Sequence, residues 1–212
     1  MKNKTHKQKR REFLSKVIAG GMVSCFSANA LLAQNNDSDE AILSEFSKHK
    51  FQEDSGMSYQ AVFDFTYKSW LIPFMKTFSK ELGKDELITL LKKASGKRAK
   101  SIARYQVKKL GSNDFDTFKK YMHSSLDNPF MQKVGTYFVS EDSENRFEIT
   151  CKECLWAKTF SEGKAPEIGY ACSCHQDYVI AQTFNPKIKL ENTTKSLMDG
   201  GSVCTLRYTY KG

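Results

Sequence analysis

Phe63, Tyr67, Trp70, Leu71, Phe74, Phe78 and Leu82 recur at spacings of three and four. Only a helix gathers such spacings onto one face, so this stretch commits the chain to a helical layer with an apolar side. The stripe is predicted to pack into the core. Pro73 interrupts it and predicts a kink or a junction between two shorter helices. Gly83 is placed to stop the second.

Residues 84–110 repeat the theme with Leu87, Ile88, Leu90 and Leu91, a break near Gly96, then Ile102, Ala103, Val107 and Leu110. Lys92, Lys93, Lys97, Arg98, Lys100 and Arg104 between them read as a solvated face. Asn113 or Asp114 caps another helix carrying Phe115, Phe118, Tyr121, Met122 and Leu126. His123 on it reads as structural or exposed. Asn128-Pro129 closes the helical half. The pattern then changes to strand-type runs at 135–139, 146–150, 187–190 and 203–210. Turn residues at 142–145 and 198–201 join them as two hairpins. Helical stretches at 153–161 and 166–182 lie between. The expected fold is α+β: helices first, then an antiparallel sheet with intervening helices. Its predicted core includes Phe63, Trp70, Phe74, Ile149, Trp156, Ile180 and Leu206.

The chain has 212 residues and a net charge of +9, of which +6 lies in residues 1–30. A basic balance concentrated in a leader argues against a nucleic-acid partner. Arg10-Arg11-Glu-Phe13-Leu14 resembles a twin-arginine export signal, followed by an apolar run from Val17 to Phe26 and a small-residue cleavage site at Ala28-Asn-Ala30. Residues 1–30 therefore read as a twin-arginine signal peptide, residues 31–37 as a polar tether, and 38–212 as one α+β domain. Its first helix would start at Asp37 or Ser38 and bury Ile42, Leu43 and Phe46. The glycine-diluted apolar run is shorter than the ~20 residues of a membrane span, so no stable span is expected. The implied partner is the twin-arginine translocon, and the implied location periplasmic or extracytoplasmic. Lipid anchoring at Cys25 is a weaker alternative.

Five of the six cysteines fall between Cys151 and Cys204. Disulfides are one reading, since an exported protein permits them. Cys151, Cys154, Cys172 and Cys174 also approximate a zinc ribbon whose second knuckle is one residue short, so a divalent metal such as zinc or manganese is a candidate cofactor. Cys151-x-x-Cys154 at a helix start echoes redox motifs as well, without the βαβ unit that usually precedes them. Cys174-His175-x-Asp177 can supply a thiolate, a base and an orienting carboxylate. On a helix Cys174 and Asp177 share a face while His175 points roughly 100° away, so convergence requires a loop or a helix end.

Cys154-Leu-Trp-Ala-Lys-Thr-Phe160, Ile168-Gly-Tyr-Ala-Cys-Ser-Cys-His-Gln-Asp177, Phe184-Asn-Pro-Lys187, Leu197-Met-Asp-Gly-Gly201, Cys204 and Arg207-Tyr208 together resemble the L-2-amino-thiazoline-4-carboxylate hydrolases. That resemblance implies a hydrolase opening a small cyclic amidine to an N-carbamoyl-cysteine-type product. It implies a small-molecule substrate and a reactive centre of Cys174, His175, Asp177 and Cys204. Asn185 and Lys187, Lys189 or Arg207 would bind substrate, the cations holding its carboxylate. In a period-2 strand Cys204 and Arg207 face opposite ways, so Arg207 would need a bulge to join. A small-ligand or metal-binding module without turnover is the competing class.

Replacing Arg10 and Arg11 together by lysine is expected to trap precursor in the cytoplasm. Export of the double variant at the wild-type level, read by cell fractionation, would refute the signal.

Overall fold

The computed structural model describes residues 56–212. The signal-peptide and tether segments, Cys25, and the helix expected around Ile42, Leu43 and Phe46 lie outside the described residues.

The described chain begins with a continuous helical rod. Ser58 caps α1 (Tyr59–Phe63), its Oγ accepting from Ala61 N at 3.1 Å. A π-helical segment, Asp64–Leu71, leads into α2 (Ile72–Leu82), and Gly83 ends the rod at φ 88°. The π segment corrects the expected core. Its wider turn carries an extra residue, which rotates the stripe that a uniform 3.6-residue period keeps inward. Leu71, Ile72 and Met75 are buried, while Trp70 is 46% and Phe74 41% exposed. The two rings instead stack on each other at 5.6 Å. Pro73 sits at the junction where the π segment passes into α2, as its position in the stripe predicts.

The break expected near Gly96 does not occur: α3 runs unbroken over Lys84–Leu110. Gly96 is buried against α8 (His175–Phe184), where an added Cβ would meet Val179 at 3.8 Å and His175 at 3.9 Å. That is ordinary contact distance, so an alanine would fit there as well. Asp114 caps α4 (Phe115–Leu126), its Oδ1 accepting from Thr117 N at 2.7 Å. The helical half does not end at Asn128-Pro129 as expected, because Asn128 caps one further short helix, α5 (Pro129–Val134).

Four strands follow: β1 (Gly135–Asp142), β2 (Arg146–Cys154), β3 (Ile188–Asn192) and β4 (Cys204–Tyr210). They form one antiparallel sheet in the order β1-β2-β4-β3. Between β2 and β3 lie α6 (Leu155–Glu162), α7 (Pro166–Gly169), a π-helical turn (Tyr170–Cys174) and α8. A 3-10 turn, Leu197–Asp199, lies between β3 and β4. The fold is α+β, as the alternation of patterns predicts.

One sheet face builds the core. Phe147 lies opposite Tyr208 and Ile149 opposite Leu206. Their side chains cluster with Phe115 and Phe118 of α4, Ala103 of α3, and Ala181 and Phe184 of α8. Trp156, Ile180 and Leu206 are only partly buried. Phe118 is fully buried and rings with Phe184 at 5.3 Å and Tyr208 at 5.1 Å. Phe118→Ala is expected to cost ~3–5 kcal/mol in chemical denaturation, as a large cavity in a dense cluster does. Trp70→Ala is expected to cost less than about 1 kcal/mol. The reverse order would place the core elsewhere.

Candidate active site

The antiparallel pairing brings distant cysteines to one end of the sheet. Cys151 on β2 lies opposite Cys204 at the start of β4 and opposite Tyr137 on β1. In a regular strand Cys151 and Cys154 would face opposite ways. A bulge prevents that. Glu153 pairs with Thr136 and Cys151 with Tyr137, which leaves Lys152 without a partner. Cys154 pairs with Gly135, so Cys151 and Cys154 occupy the same face as Tyr137.

Cys154 is also the N-cap of α6, and its sulfur accepts from Ala157 N at 3.5 Å. The Cys151 thiol, the Ala157 and Trp156 backbone N–H groups and the Tyr137 hydroxyl together hold the Cys154 thiol down to about 7, against the opposing effect of burial. Cys151 moves the other way: its bond to Cys154 and its own burial push it far up. Its single proton has a second acceptor, Glu153 O, at 3.1 Å. Burial, then the Cys154 charge, raises the Tyr137 hydroxyl, so it stays a donor. Gly135 makes room for that hydroxyl, because a Cβ there would overlap the Tyr137 ring and oxygen.

The π-helical turn and α8 bring the remaining groups. Around the widened turn, backbone carbonyls lose their helical partners and find side chains instead. Ser95 Oγ donates to Ala171 O at 2.7 Å, and the Gln176 side-chain amide donates to Cys172 O. Asp177 lies in the first turn of α8 with its carboxyl enclosed, although the residue keeps some exposed surface. Burial, reinforced by the Cys154 charge, pushes it up to about 7. Burial raises the Cys174 thiol, and the Asp177, Cys154 and Cys204 charges add to it. Cys204 is raised by burial even though its sulfur accepts from Leu197 N at 2.9 Å. That donor comes from a tight loop in which Gly201 N donates to Ser196 O at 2.8 Å. A Cβ on Gly201 would collide with the Lys195 carbonyl.

The structure thus brings Cys174, Asp177 and Cys204 together with Cys151 and Cys154. His175 is not among them. It turns toward α3, where burial and then Lys92 lower its basicity. The continuous helix keeps it off the Cys174–Asp177 face, since no loop or helix end intervenes. Arg207 lies on the opposite sheet face, its Nε donating to Glu148 at 2.7 Å. Asn185 is buried at the far end of α8, donating to Asn113 O at 2.8 Å and accepting from Lys187 N at 2.9 Å. Lys187 and Lys189 are exposed. Asn185 at the end of α8 is thereby roughly 15 Å along the helix from Cys174.

The four-cysteine metal set is not assembled either. Among the described residues no group of three or more His, Cys, Asp or Glu side chains is placed to hold a metal ion. Cys172 is raised to about 12 by burial alone and acts on Tyr67, away from the other thiols.

Three contributors escaped the sequence reading. Tyr137 and Gly135 carried no motif, and only strand pairing puts them beside Cys154. Arg98, expected on a solvated face, turns inward, donates Nη1 to Gln176 at 2.8 Å, and keeps a buried Nε without a hydrogen-bond partner. Tyr137 and Gly135 also border a cleft of about 360 Å³ lined by His123, Leu126, Gln132 and Val139. His123 there lies 2.9 Å from Asp142.

A thiol of lowered proton affinity and a proton-holding carboxyl thus occur together in this α+β domain. Residues 64–208 match the model of the L-2-amino-thiazoline-4-carboxylic acid hydrolase family, and the chain belongs to that family. No curated protein matches the chain significantly. Among solved structures it is similar to a trafficking protein particle complex subunit 3 from Naegleria fowleri covalently bound to palmitic acid, at 14% identity and TM-score 0.40 over 67% of this chain and 93% of that one. It is similar to an Fe(II) unliganded H-NOX protein from K. algicida at 14% identity and TM-score 0.40, over 69% and 75%. Similarity this slight defines neither ligand nor activity. Among the described residues no helix is long and apolar enough to cross a membrane.

Asp177 sets a pH dependence of stability. Its folded-state affinity for a proton exceeds that of the unfolded chain, so between about pH 4 and pH 7 the native state binds more protons and stability falls as pH rises. Asp177→Asn removes this loss. The variant is expected to melt above wild type at about pH 8 and level with it near pH 4, where both side chains are neutral. An equal shift at both pH values would show that the carboxyl does not change protonation there.

Proposed function

We propose that this protein is a hydrolase that opens a 2-amino-thiazoline-4-carboxylate-like ring to an N-carbamoyl-cysteine-type product, with Cys154 as nucleophile. The observation that supports it is the Cys154 thiol at the N-terminus of α6, held near 7 by Cys151, backbone N–H groups and Tyr137. Family membership supplies the reaction class. Cys174, raised by burial, is a neutral wall of the site together with Cys204.

The thiolate adds to the ring carbon between nitrogen and sulfur, and the C=N electrons move to nitrogen, which takes the Asp177 proton. The adduct expels the ring sulfur as thiolate, leaving an isothiouronium on Cys154. Water then adds to the same carbon and returns a proton to Asp177. Cys154 departs as thiolate, and the remaining hydroxyl proton passes to the product thiolate. One water is consumed, and one C–S bond is exchanged for a C=O bond. Tyr137 steadies Cys154 when it is charged. Arg98 takes the substrate carboxylate in this proposal, as an inward cation with an unsatisfied donor. Export through the twin-arginine route, motivated by Arg10-Arg11, would place the reaction outside the cytoplasm.

Cys154→Ser and Asp177→Asn are each expected to lower turnover of the amino-thiazoline carboxylate at least ~100-fold with the fold retained by circular dichroism. Wild-type kcat/KM should be bell-shaped around neutrality: Cys154 protonates on the acid side and Asp177 ionises on the alkaline side. Arg98→Gln should raise KM more than it lowers kcat. If Cys174→Ser abolishes turnover while Cys154→Ser does not, the nucleophile is misassigned. Absence of wild-type turnover, with a saturable thermal shift on adding the ring compound, would instead favour a binding module.

A further inference from the structure

The Lys152 bulge has a second result beyond placing Cys154: it makes a thiol pair. Gly135 and Tyr137 stand opposite Cys154 and Cys151, so the two cysteine backbones are separated by the span of two strand residues rather than three. That span is about 6.7 Å at ordinary strand rise. It lies inside the range of Cα separations that a disulfide bridges, up to ~6.8 Å. The side chains share a face, and the Cys151 thiol lies close enough to lower the proton affinity of Cys154. Cys154 keeps some exposed surface while Cys151 is buried.

We propose that Cys154 is a peroxide-oxidisable site and that Cys151 resolves it to a reversible Cys151–Cys154 disulfide. The Cys154 thiolate attacks one oxygen of hydrogen peroxide, breaks the O–O bond and becomes a sulfenic acid, with hydroxide leaving and taking a proton to form water. The Cys151 sulfur then attacks the Cys154 sulfur. The S–S bond forms, the S–OH bond breaks, and the hydroxyl leaves as water with the Cys151 proton. The two thiols lose two electrons and the peroxide gains them. A small dithiol reverses the change by exchange.

The asymmetry of the pair supports this order. Cys154 is the partly exposed member and accepts from the Ala157 N–H at the start of α6, whereas Cys151 is buried and donates to Glu153 O. Cys204 stands opposite Cys151 but is tied to the Leu197 N–H in its own loop. Cys174 enters from α8 and shares no hydrogen bond with Cys154 comparable to that of Cys151. Bond formation does not depend on the hydrolase reading. Only its consequence does: a disulfide removes the nucleophile and should silence turnover.

The test uses the full chain, reduced, treated with hydrogen peroxide, alkylated under denaturing conditions and digested with trypsin. Cleavage at Lys152 falls between the two cysteines. The bond therefore appears as peptides 147–152 and 153–158 joined, lighter by two hydrogens than their sum, and separating on reduction. Cys151→Ser is expected to give no linked pair and to carry Cys154 on to sulfinic acid. Cys172→Ser should form the link as wild type does. A link from Cys154 to Cys174, a Cys151–Cys204 link, or unmodified Cys154 after peroxide would each overturn the inference. Turnover, where present, should be lost with the link and restored by dithiothreitol. A link in a protein that shows no turnover would leave the disulfide standing and defeat the hydrolase reading alone.

Discussion

The reactive end of this protein depends on the central antiparallel pair, β2 against β4. That pairing sets Cys151 opposite Cys204 and carries β2 straight into α6, so that a strand ends where a helix begins and Cys154 belongs to both. The same pairing buries Phe147, Ile149 and Tyr208 on one face. Core and chemistry therefore share a scaffold. Any change that slips the register by one residue would turn the apolar set outward and scatter the thiols with it.

Two irregularities convert that scaffold into a site. The bulge at Lys152 changes the strand's period for one residue and turns Cys154 toward Cys151 and Tyr137. The π-helical turn before α8 leaves carbonyls that Ser95 and Gln176 satisfy, and it ends where Asp177 enters the interior. Both are departures from regular geometry that exposed side chains would not need. Their effect is electrostatic. Donors converge on Cys154 and lower its proton affinity, while enclosure without comparable donors raises Asp177. A thiol that gives up its proton readily and a carboxyl that keeps one suit the ring opening proposed above.

The disulfide inference draws on the same bulge. Bringing a second thiol to the first lowers the first one's proton affinity, and the same proximity makes the second a resolving group. In these two proposals, activation of Cys154 and its oxidation draw on one contact.

The sequence by itself determined the class of fold, because apolar spacing of three and four before Asn128 and strand-type runs after it are local properties that each segment carries alone. It also determined the family, through runs such as Ile168–Asp177 and Leu197–Gly201, and a cap at Asn113 or Asp114, which the structure resolves to Asp114. It showed that His175 would leave the Cys174–Asp177 face on a continuous helix, and that Arg207 would oppose Cys204. It did not reveal that Trp70 and Phe74 turn outward, since a π segment shifts the phase without leaving a mark in the apolar spacing. It did not reveal Arg98 turned inward, because a lysine- and arginine-rich face looks uniformly solvated until α8 packs on it. The tertiary structure alone distinguished the thiols from one another, lowering Cys154 and raising Cys174. The proton affinity of a cysteine depends on what points at it, and the groups pointing at Cys154 come from Tyr137, Cys151 and the first turn of α6. Strand pairing and a one-residue bulge bring them together, and neither can be read from spacing along the chain.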